Sequence, residues 1–326
     1  MILAGDVGGT KTDLSLFERV DGRLVERRTH RFDSKSYPDL VSLLREFLGA
    51  DGVAGIESAG FGVPGPVVDG RCEATNLTWV VDVRHLAAAL GERHVTLVND
   101  LVATAAGVLD LPADHLVTLL EGKPHESATR AVIAPGTGLG ESILYWDGGG
   151  YHAVPSEAGH ADFAARNAEE LALTSYLLGR FPRVSVERVL AGPGITHLYE
   201  FLRDTQRVDV PADVDAEIRA ASDSNAAITQ LALEKRAAVC VHALDLWISI
   251  LGAEAGNLAL RAVAEGGVYL AGGIVGRLVD PIRSGPFAPA FLAKTPLDDF
   301  IRGVPVRLVT EPRTALFGAA RLAAGS

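Results

Sequence analysis

Cysteine is scarce in this sequence of 326 residues, and its scarcity excludes several classes of protein. Cys72 and Cys240 are the two cysteines, and neither CxxC nor Cys/His spacing surrounds them. A disulfide framework or a structural zinc site would need more ligands at closer spacing. Two isolated thiols suggest a reducing compartment, so we expect the protein to be cytoplasmic.

Long apolar runs are also missing. No stretch approaches the roughly 18 uninterrupted apolar residues that indicate a membrane-spanning helix. The chain opens MILAGDVGGT, without a basic segment followed by a long apolar run, so a secretory signal is not expected. We therefore expect no membrane partner.

Clustered positive charge is the third feature that the sequence lacks. The net charge is −11, and the richest basic stretch, residues 23–31, alternates with apolar residues beside a turn. Nucleic-acid affinity comes largely from clustered Lys and Arg, so we expect no nucleic-acid partner. No segment that could form a helix-turn-helix is expected before the first strand.

The pattern of apolar residues predicts an α/β protein of two domains. The length exceeds what a single core usually supports, and 48% of the residues are hydrophobic against 22% charged. Three strands, with an Asp21-Gly22 hairpin turn, precede a helix over 40–48 that Gly49 ends. The pattern loosens before a new strand at Ala131, so we place the domain change near residue 110.

Further elements follow from the same periodicities. Strands are predicted at 55–63, 95–98, 131–134, 143–146, 268–270 and 306–309. Helices are predicted at 83–90, 101–109, 168–178, 195–202, 226–251 and 314–323.

Two glycine-rich turns occupy corresponding points in the two halves. The first is GDVGGT, residues 5–10, and the second is PGTGLG, residues 135–140. Neither dinucleotide nor P-loop spacing fits the first turn, and each turn alone could be an ordinary glycine hairpin. As a pair they predict a clamp on the phosphates of one nucleotide, with Asp6 holding Mg²⁺ through water.

Polar residues in three further segments are candidates for substrate chemistry. Asp100 follows a buried strand, where a carboxylate could accept a hydroxyl proton, although an Asn-Asp pair also serves as a helix N-cap. Glu157 and His160 could bind sugar hydroxyls, or be an ordinary loop acid and an exposed histidine. Glu187 opens ERVLAGPG, which on its residues alone predicts only a helix ended by glycine.

The order and spacing of eight motifs closely resemble the bacterial glucokinase family, a non-zinc branch of the actin-like, hexokinase-type sugar kinases. The motifs are GDVGGT at Gly5, GVPGPV at Gly62, TNLTW at Thr75, VND at Val98, PGTGLG at Pro135, EAGH at Glu157, ERVLAGPG at Glu187 and LAGGI at Leu270. The resemblance implies two actin-like (ribonuclease H-like) α/β lobes with a central cleft, each a mixed β-sheet flanked by helices. The small lobe would comprise 1–110 plus 312–326, and the large lobe 111–311.

The resemblance also implies an ATP-dependent glucokinase that phosphorylates the 6-hydroxyl of D-glucose, acts on MgATP and forms a homodimer. Asp100 would be the catalytic base. The residues implied to contact glucose are Asn99, Asp100, Glu157, His160 and Glu187. Those implied to bind the phosphates are Gly5, Asp6, Val7, Gly8, Gly9, Thr10, Gly136, Thr137 and Gly138. Gly272 and Gly273 would lie against the adenosine, and Asp6 would hold the Mg²⁺.

The sequence departs from the family pattern at Lys11, Thr78 and Glu141-Ser142. Lys11 resembles the related repressor/kinase group, whose zinc motif two distant cysteines cannot supply. Glu141 would repel phosphates if it faced them. Two alternatives therefore stay open: a related kinase with another hexose or donor, and a non-catalytic sugar-binding regulator.

Overall fold

The computed structural model describes residues 1–49, 52–74 and 77–325, and the chain forms two compact units. The first comprises Met1–His115, Ser142–Pro155 and Glu311–Ser326, and the second Leu116–Glu141 and Ser156–Thr310. Assignment of these units to the lobes expected from the family stays a prediction. Thr75 and Asn76 of the TNLTW motif lie outside the described residues.

The described elements include both strands and helices, as expected of the α/β class. The strands are β1 Ile2–Val7, β2 Lys11–Val20, β3 Arg23–Asp33, β4 Ser58–Val63, β5 Arg71–Glu73, β6 Val80–Asp82, β7 His94–Asn99, β8 Leu116–Leu120, β9 Arg130–Pro135, β10 Leu139–Trp146, β11 Tyr151–Ser156, β12 Gly267–Leu270 and β13 Val306–Val309. The helices are α1 Leu40–Leu48, α2 Val83–Ala89, α3 Asp100–Gly107, α4 Ala168–Leu178, α5 Val186–Leu190, α6 Gly194–Asp204, α7 Ala212–Ala220, α8 Ser224–Leu233, α9 Ala238–Ala262, α10 Val279–Ser284, α11 Phe287–Leu292, α12 Asp298–Gly303 and α13 Thr314–Ala323.

The first unit is built on a mixed sheet in the order β3-β2-β1-β4-β7. Strands β1, β2 and β3 pair antiparallel, whereas β4 lies parallel to both β1 and β7. The β2–β3 turn has positive φ at Asp21 (50°) and at Gly22 (78°), as a two-residue type I′ hairpin requires. The predicted hairpin is therefore confirmed.

Helix α1 covers one side of this sheet as its apolar spacing predicts. Asp39 caps its start by accepting a hydrogen bond from the Ser42 backbone N–H at 2.7 Å, and Gly49 ends it at a φ of 59°. Leu43 and Leu44 are buried in a core that includes Phe61 of β4. The predicted helix over 40–48 is confirmed.

Helix α13 brings the C-terminal segment back onto the first sheet and onto α3. A Cβ atom at Gly60 would lie 2.1 Å from the Ala319 carbonyl oxygen, and one at Gly318 would lie 1.7 Å from the Ala103 carbonyl oxygen. Glycine therefore permits the close backbone contact on both sides of the helix. This packing places residues 314–323 in the same unit as β1.

The second sheet has the order β11-β10-β9-β12-β13-β8, with β12 parallel to β9 and β13 and β13 antiparallel to β8. Helix α9 forms much of the core of the second unit, where Trp247 donates its ring N–H to the Leu190 carbonyl at 3.2 Å. Among the described residues, α9 alone has the length and hydropathy of a membrane span, but 72% of its most apolar stretch is buried. Buried core helices share this property.

The predicted single helix over 226–251 is wrong. The chain leaves α8 at Lys235, whose φ is 54°, and α9 then begins at Ala238. The Arg236 N–H bonds the Leu231 carbonyl and the Lys235 N–H bonds the Ala232 carbonyl, the pairing of a Schellman helix end. A lysine stands where glycine usually signals this helix end. The apolar periodicity alone therefore predicted one continuous helix.

Candidate active site

The first glycine turn joins β1 to β2 in the first unit. The Gly8 N–H donates to the Lys11 carbonyl at 2.9 Å, and a Cβ atom at Gly8 would lie 2.7 Å from that oxygen. Thr10 and Lys11 are exposed. The turn therefore needs glycine for its shape and presents backbone and hydroxyl groups at the ends of β1 and β2.

Ser34 holds this turn in place, which sequence reasoning missed. Its hydroxyl donates to the Gly8 carbonyl at 2.8 Å, and its backbone N–H donates to the Thr10 carbonyl at 3.0 Å. Thr12 completes the support, since its hydroxyl lies 2.9 Å from the Ser34 hydroxyl. Both side chains are fully buried, so the turn rests on a fixed polar support.

Asp6 lies in a row of charged side chains across the first sheet. It stands opposite Asp13 on β2, which stands opposite Arg31 on β3 and receives two hydrogen bonds of 2.7 Å from the Arg31 guanidinium. Burial, and then the carboxylates of Asp100 and Asp13, raise the pKa of Asp6 to about 7, with Arg31 opposing the shift. Asp6 and Asp100 are therefore electrostatic neighbours within the first unit.

Asn99 and Asp100 stand at the junction of β7 and α3. The Asn99 side chain accepts a hydrogen bond from the Leu101 N–H at 2.9 Å and donates to the Gly65 carbonyl at 3.2 Å. One Asp100 carboxylate oxygen also accepts from the Leu101 N–H at 2.9 Å. The N-cap interpretation of this pair is thus correct, and it leaves both side chains half-buried at the strand end.

The second glycine turn, residues 136–138, joins β9 to β10 in the second unit. The Gly136 N–H donates to the Gly138 carbonyl at 2.8 Å, while the Gly192 N–H donates to the Gly136 carbonyl at 2.7 Å. Gly192 belongs to the ERVLAGPG motif, so that segment contacts the predicted phosphate loop directly. This contact supports a shared role for the two motifs.

Glu187 connects the predicted sugar residues to the predicted phosphate loop. One carboxylate oxygen accepts a hydrogen bond from the Leu139 N–H at 2.9 Å, and a Cβ atom at Gly138 would lie 2.8 Å from the same oxygen. The other oxygen lies 3.6 Å from His160 Nδ1. Glu187, His160 and the loop therefore form one cluster in the second unit.

The EAGH segment forms a tight turn against β10. Residues Ala158–His160 make a 3₁₀ turn, and a Cβ atom at Gly159 would lie 2.1 Å from the Leu139 carbonyl oxygen. Arg183, another residue that sequence reasoning missed, donates to the His160 carbonyl. The side chains of Glu157 and His160 are exposed, as groups that receive a ligand must be.

Gly272 places the LAGGI segment beside the same loop. It follows β12 with a φ of 96°, and a Cβ atom there would lie 2.6 Å from the carbonyl oxygen of Pro135, the residue before the turn. Gly273 has open space around it. The segment predicted to contact adenosine thus lies next to the segment predicted to contact phosphate.

Glu141 does not face the predicted phosphate loop. Its side chain is fully buried near Glu254 and Arg261 of α9, with one oxygen 3.8 Å from the Arg261 guanidinium. Burial, and then the Glu254 carboxylate, raise the pKa of Glu141 to about 8. The expected repulsion of phosphate by this departure is therefore not supported.

Among the described residues, no group of three or more His, Cys, Asp or Glu side chains forms a metal cluster. Mg²⁺ commonly keeps several waters and takes one or two protein carboxylates together with substrate phosphates. Asp6 and its neighbour Asp100 fit that requirement, because a dication would favour the ionised form of Asp6, which burial and then the nearby carboxylates disfavour.

Comparisons with known proteins agree over the full length of the chain. The family model described as glucokinase matches residues 3–326. The glucokinase of Nostoc punctiforme is 38% identical over 337 residues, covering 99% of each chain. The crystal structure of glucokinase from an Antarctic psychrotroph superposes with a TM-score of 0.88 at 30% identity, covering 100% of this chain and 99% of that one.

A more distant structure supports the fold alone. It is the ROK family glucokinase from Streptomyces griseus in complex with glucose and AMPPNP, with a TM-score of 0.64 at 21% identity and coverage of 100% and 99%. The predicted actin-like α/β class, with a mixed sheet in each unit, is thereby confirmed.

Proposed function

This chain belongs to the glucokinase family, and from that premise we propose that it transfers the γ-phosphoryl group of ATP to the 6-hydroxyl of D-glucose. The products are glucose 6-phosphate and ADP. Within this chain, the Glu187 carboxylate supports the proposal most directly. It accepts a hydrogen bond from the Leu139 N–H beside the predicted phosphate loop, and it lies 3.6 Å from His160 Nδ1. One side chain thereby links a sugar-type cluster to a phosphate-type loop.

Asp100 is the proposed catalytic base. The 6-hydroxyl oxygen bonds to the γ-phosphorus while the bond from that phosphorus to the β–γ bridging oxygen breaks, and the hydroxyl proton passes to the Asp100 carboxylate. Its position at the end of β7 and the start of α3 fixes the carboxylate on two rigid elements. Phosphoryl transfer needs mainly this kind of positioning.

Glucose recognition is proposed for Asn99, Glu157, His160 and Glu187, together with Asp100. Carboxylates accept hydrogen bonds from sugar hydroxyls, and a neutral imidazole both donates and accepts. Exposure of Glu157 and His160 leaves their polar atoms available to hydroxyl groups. Leaving such groups unpaired would disfavour sugars with another hydroxyl pattern.

Nucleotide binding is proposed for the two glycine turns, residues 5–10 and 136–138, with Gly272 and Gly273 against adenosine. Asp6 would hold Mg²⁺ through water, and the ion would neutralise phosphate charge when bound. The buried Ser34–Thr12 pair supports the first turn, so its backbone is ordered by protein contacts. Ordered donors lose little entropy when a phosphate binds.

We also propose that the enzyme is a cytoplasmic homodimer, as expected for the family. Both cysteines are buried and unpaired, which suits a reducing compartment. Light scattering of the purified protein measures the mass directly. A mass of one chain across the working concentration range would contradict the dimer.

A coupled assay with a panel of hexoses and with ATP, ADP, GTP or polyphosphate tests the function. Highest turnover with glucose and ATP supports the proposal. Faster turnover with another sugar or donor would make the chain a related hexose kinase. Glucose binding without any turnover would make it a sugar-binding regulator.

A further inference from the structure

A cavity of about 170 Å³ lies in the second unit, lined by none of the residues assigned to glucose or nucleotide. Its wall comes from three segments: the loop before α4, the middle of α9, and the residues after α11. Its polar lining residues are Arg166, Glu254, Asn257 and Lys294. We refer to it as the Lys294 cavity.

Lys294 is held in a fixed position at the cavity wall. Its Nζ atom donates to the Ala253 carbonyl at 2.9 Å and to the Asn257 side-chain oxygen at 2.7 Å. A Cβ atom at Gly256 would lie 2.6 Å from Lys294 Cε, so the glycine on α9 makes room for the lysine stem. A fixed ammonium loses little side-chain entropy when a ligand binds.

The acceptors around the cavity are largely engaged by protein donors. One Glu254 oxygen accepts from the Asn257 side chain at 2.9 Å and the other accepts from the Arg261 guanidinium at 2.6 Å. Asn257 in turn accepts from Lys294 through its own side-chain oxygen. Arg261 is thus the ion-pair partner of Glu254, and its guanidinium also lies 3.8 Å from the buried Glu141 carboxyl.

By contrast, Lys294 and Arg166 each keep hydrogen-bond donors that no described protein acceptor uses. An ammonium has three N–H groups and Lys294 uses two of them. Arg166 directs Nε and Nη2 to the buried Glu170 carboxylate and Nη2 also to Ser249, and its Nη1 has no partner among the described residues. The cavity therefore offers hydrogen-bond donors from two cationic side chains.

The described charged side chains around the cavity also leave positive charge without a carboxylate partner. Arg166 pairs with Glu170 and Arg261 pairs with Glu254, whereas Lys294 has no carboxylate partner among the described residues. Burial, and then the positive charge of Arg166, lower the pKa of Lys294, while the Glu254 carboxylate opposes the shift. A ligand that brings acceptors and negative charge would complete this arrangement.

We propose that the Lys294 cavity binds a small oxyanion, such as phosphate or a small carboxylate, through the Lys294 ammonium and Nη1 of Arg166. The ligand accepts hydrogen bonds from both donors and balances the unpaired ammonium. Phe163 and Ile250 are among the apolar residues that line the rest of the wall. No role in the glucose reaction is needed for this binding.

Calorimetric titration with inorganic phosphate tests the proposal on protein saturated with glucose and a nonhydrolysable ATP analogue. The wild type should bind phosphate saturably, and Lys294→Met should bind it at least about 10-fold more weakly, because a charged hydrogen-bond donor is lost. Lys123→Met is the matched control, since Lys123 is an exposed lysine in the same unit. The same titration with acetate at equal ionic strength shows whether the cavity binds a planar carboxylate or a tetrahedral oxyanion more tightly.

Equal phosphate affinity in the wild type and Lys294→Met would overturn the proposal, as would the absence of saturable binding in the wild type. A second measurement does not depend on the variant's folding. Crystals of the wild type soaked in selenate should show an anomalous peak within hydrogen-bond distance of Lys294 Nζ. A peak elsewhere with none at Lys294 would also overturn it.

Discussion

Replacing Glu187 should separate two roles that one carboxylate combines. The residue accepts a hydrogen bond from the Leu139 N–H at 2.9 Å, and it lies 3.6 Å from His160 Nδ1. Leu139 is buried, and the Glu187 carboxylate is the acceptor for its N–H. Glu187→Ala therefore removes both a loop support and a predicted sugar ligand.

The size of the expected effect of Glu187→Ala follows from the hydrogen bond between the Leu139 N–H and the carboxylate. A hydrogen bond to a charged group contributes about 1.5 to 3 kcal/mol, so local opening at Leu139 should become about 10- to 100-fold more frequent. The KM for glucose should rise at least about 10-fold, since a hydroxyl partner is also lost. Glu187→Gln keeps an acceptor for the Leu139 N–H. It should therefore keep most of the wild-type protection of the Leu139 amide from hydrogen exchange, while its KM for glucose should stay raised.

Hydrogen exchange of the Leu139 amide, measured beside the glucose KM, reads the two effects separately. Glu121→Ala is the matched control, because Glu121 is an exposed glutamate in the same unit. If Glu187→Ala left the exchange rate of Leu139 unchanged, the carboxylate would not support the loop. If it left the glucose KM unchanged, Glu187 would not contact the sugar.

Three further changes test other parts of the site. Replacing His160 or Glu157 by Ala should raise the glucose KM roughly 10-fold or more and change ATP affinity far less; an effect on ATP alone would move this segment to the nucleotide side. Gly138→Ala places a Cβ atom 2.8 Å from Glu187 and should lower kcat/KM for ATP roughly 10-fold, whereas Gly276→Ala, with open space around it, should not. The native state holds a proton on Glu141 up to about pH 8 that the unfolded chain loses from about pH 4.5, so wild-type stability should fall across that range. Denaturant unfolding should show a smaller fall in Glu141→Gln, and identical pH slopes would contradict the shifted pKa.

Much of the fold could be predicted because local patterns and tertiary packing agree. The helices at 40–48, 168–178 and 314–323 and the strand at 306–309 match the structure to the residue. The failure at 226–251 came from Lys235, where backbone hydrogen bonds end a helix without glycine. The short β5–β6 pair was missed because three-residue strands carry too little periodicity.

The roles of the motif residues stay predictions, and the distant segments that support the two glycine turns could not be identified from the sequence. The Asp21-Gly22 turn sets the β2–β3 pairing, which carries residue 34 back beside the first glycine turn. A bulge between Leu16 and Phe17 shifts that register by one, so counting from the turn could not identify Ser34. The contact between Gly192 and Gly136 depends on tertiary packing that the sequence pattern does not reveal.

The most direct test of the central claim, that this chain phosphorylates glucose with Asp100 as the base, is the turnover of Asp100→Asn with glucose and ATP. Asparagine keeps an acceptor for the Leu101 N–H, so α3 and most glucose binding should be retained. We predict that kcat falls by at least about 100-fold while the calorimetric Kd of glucose changes little. Near-normal turnover in a variant that binds glucose normally would contradict the assignment of Asp100 as the base.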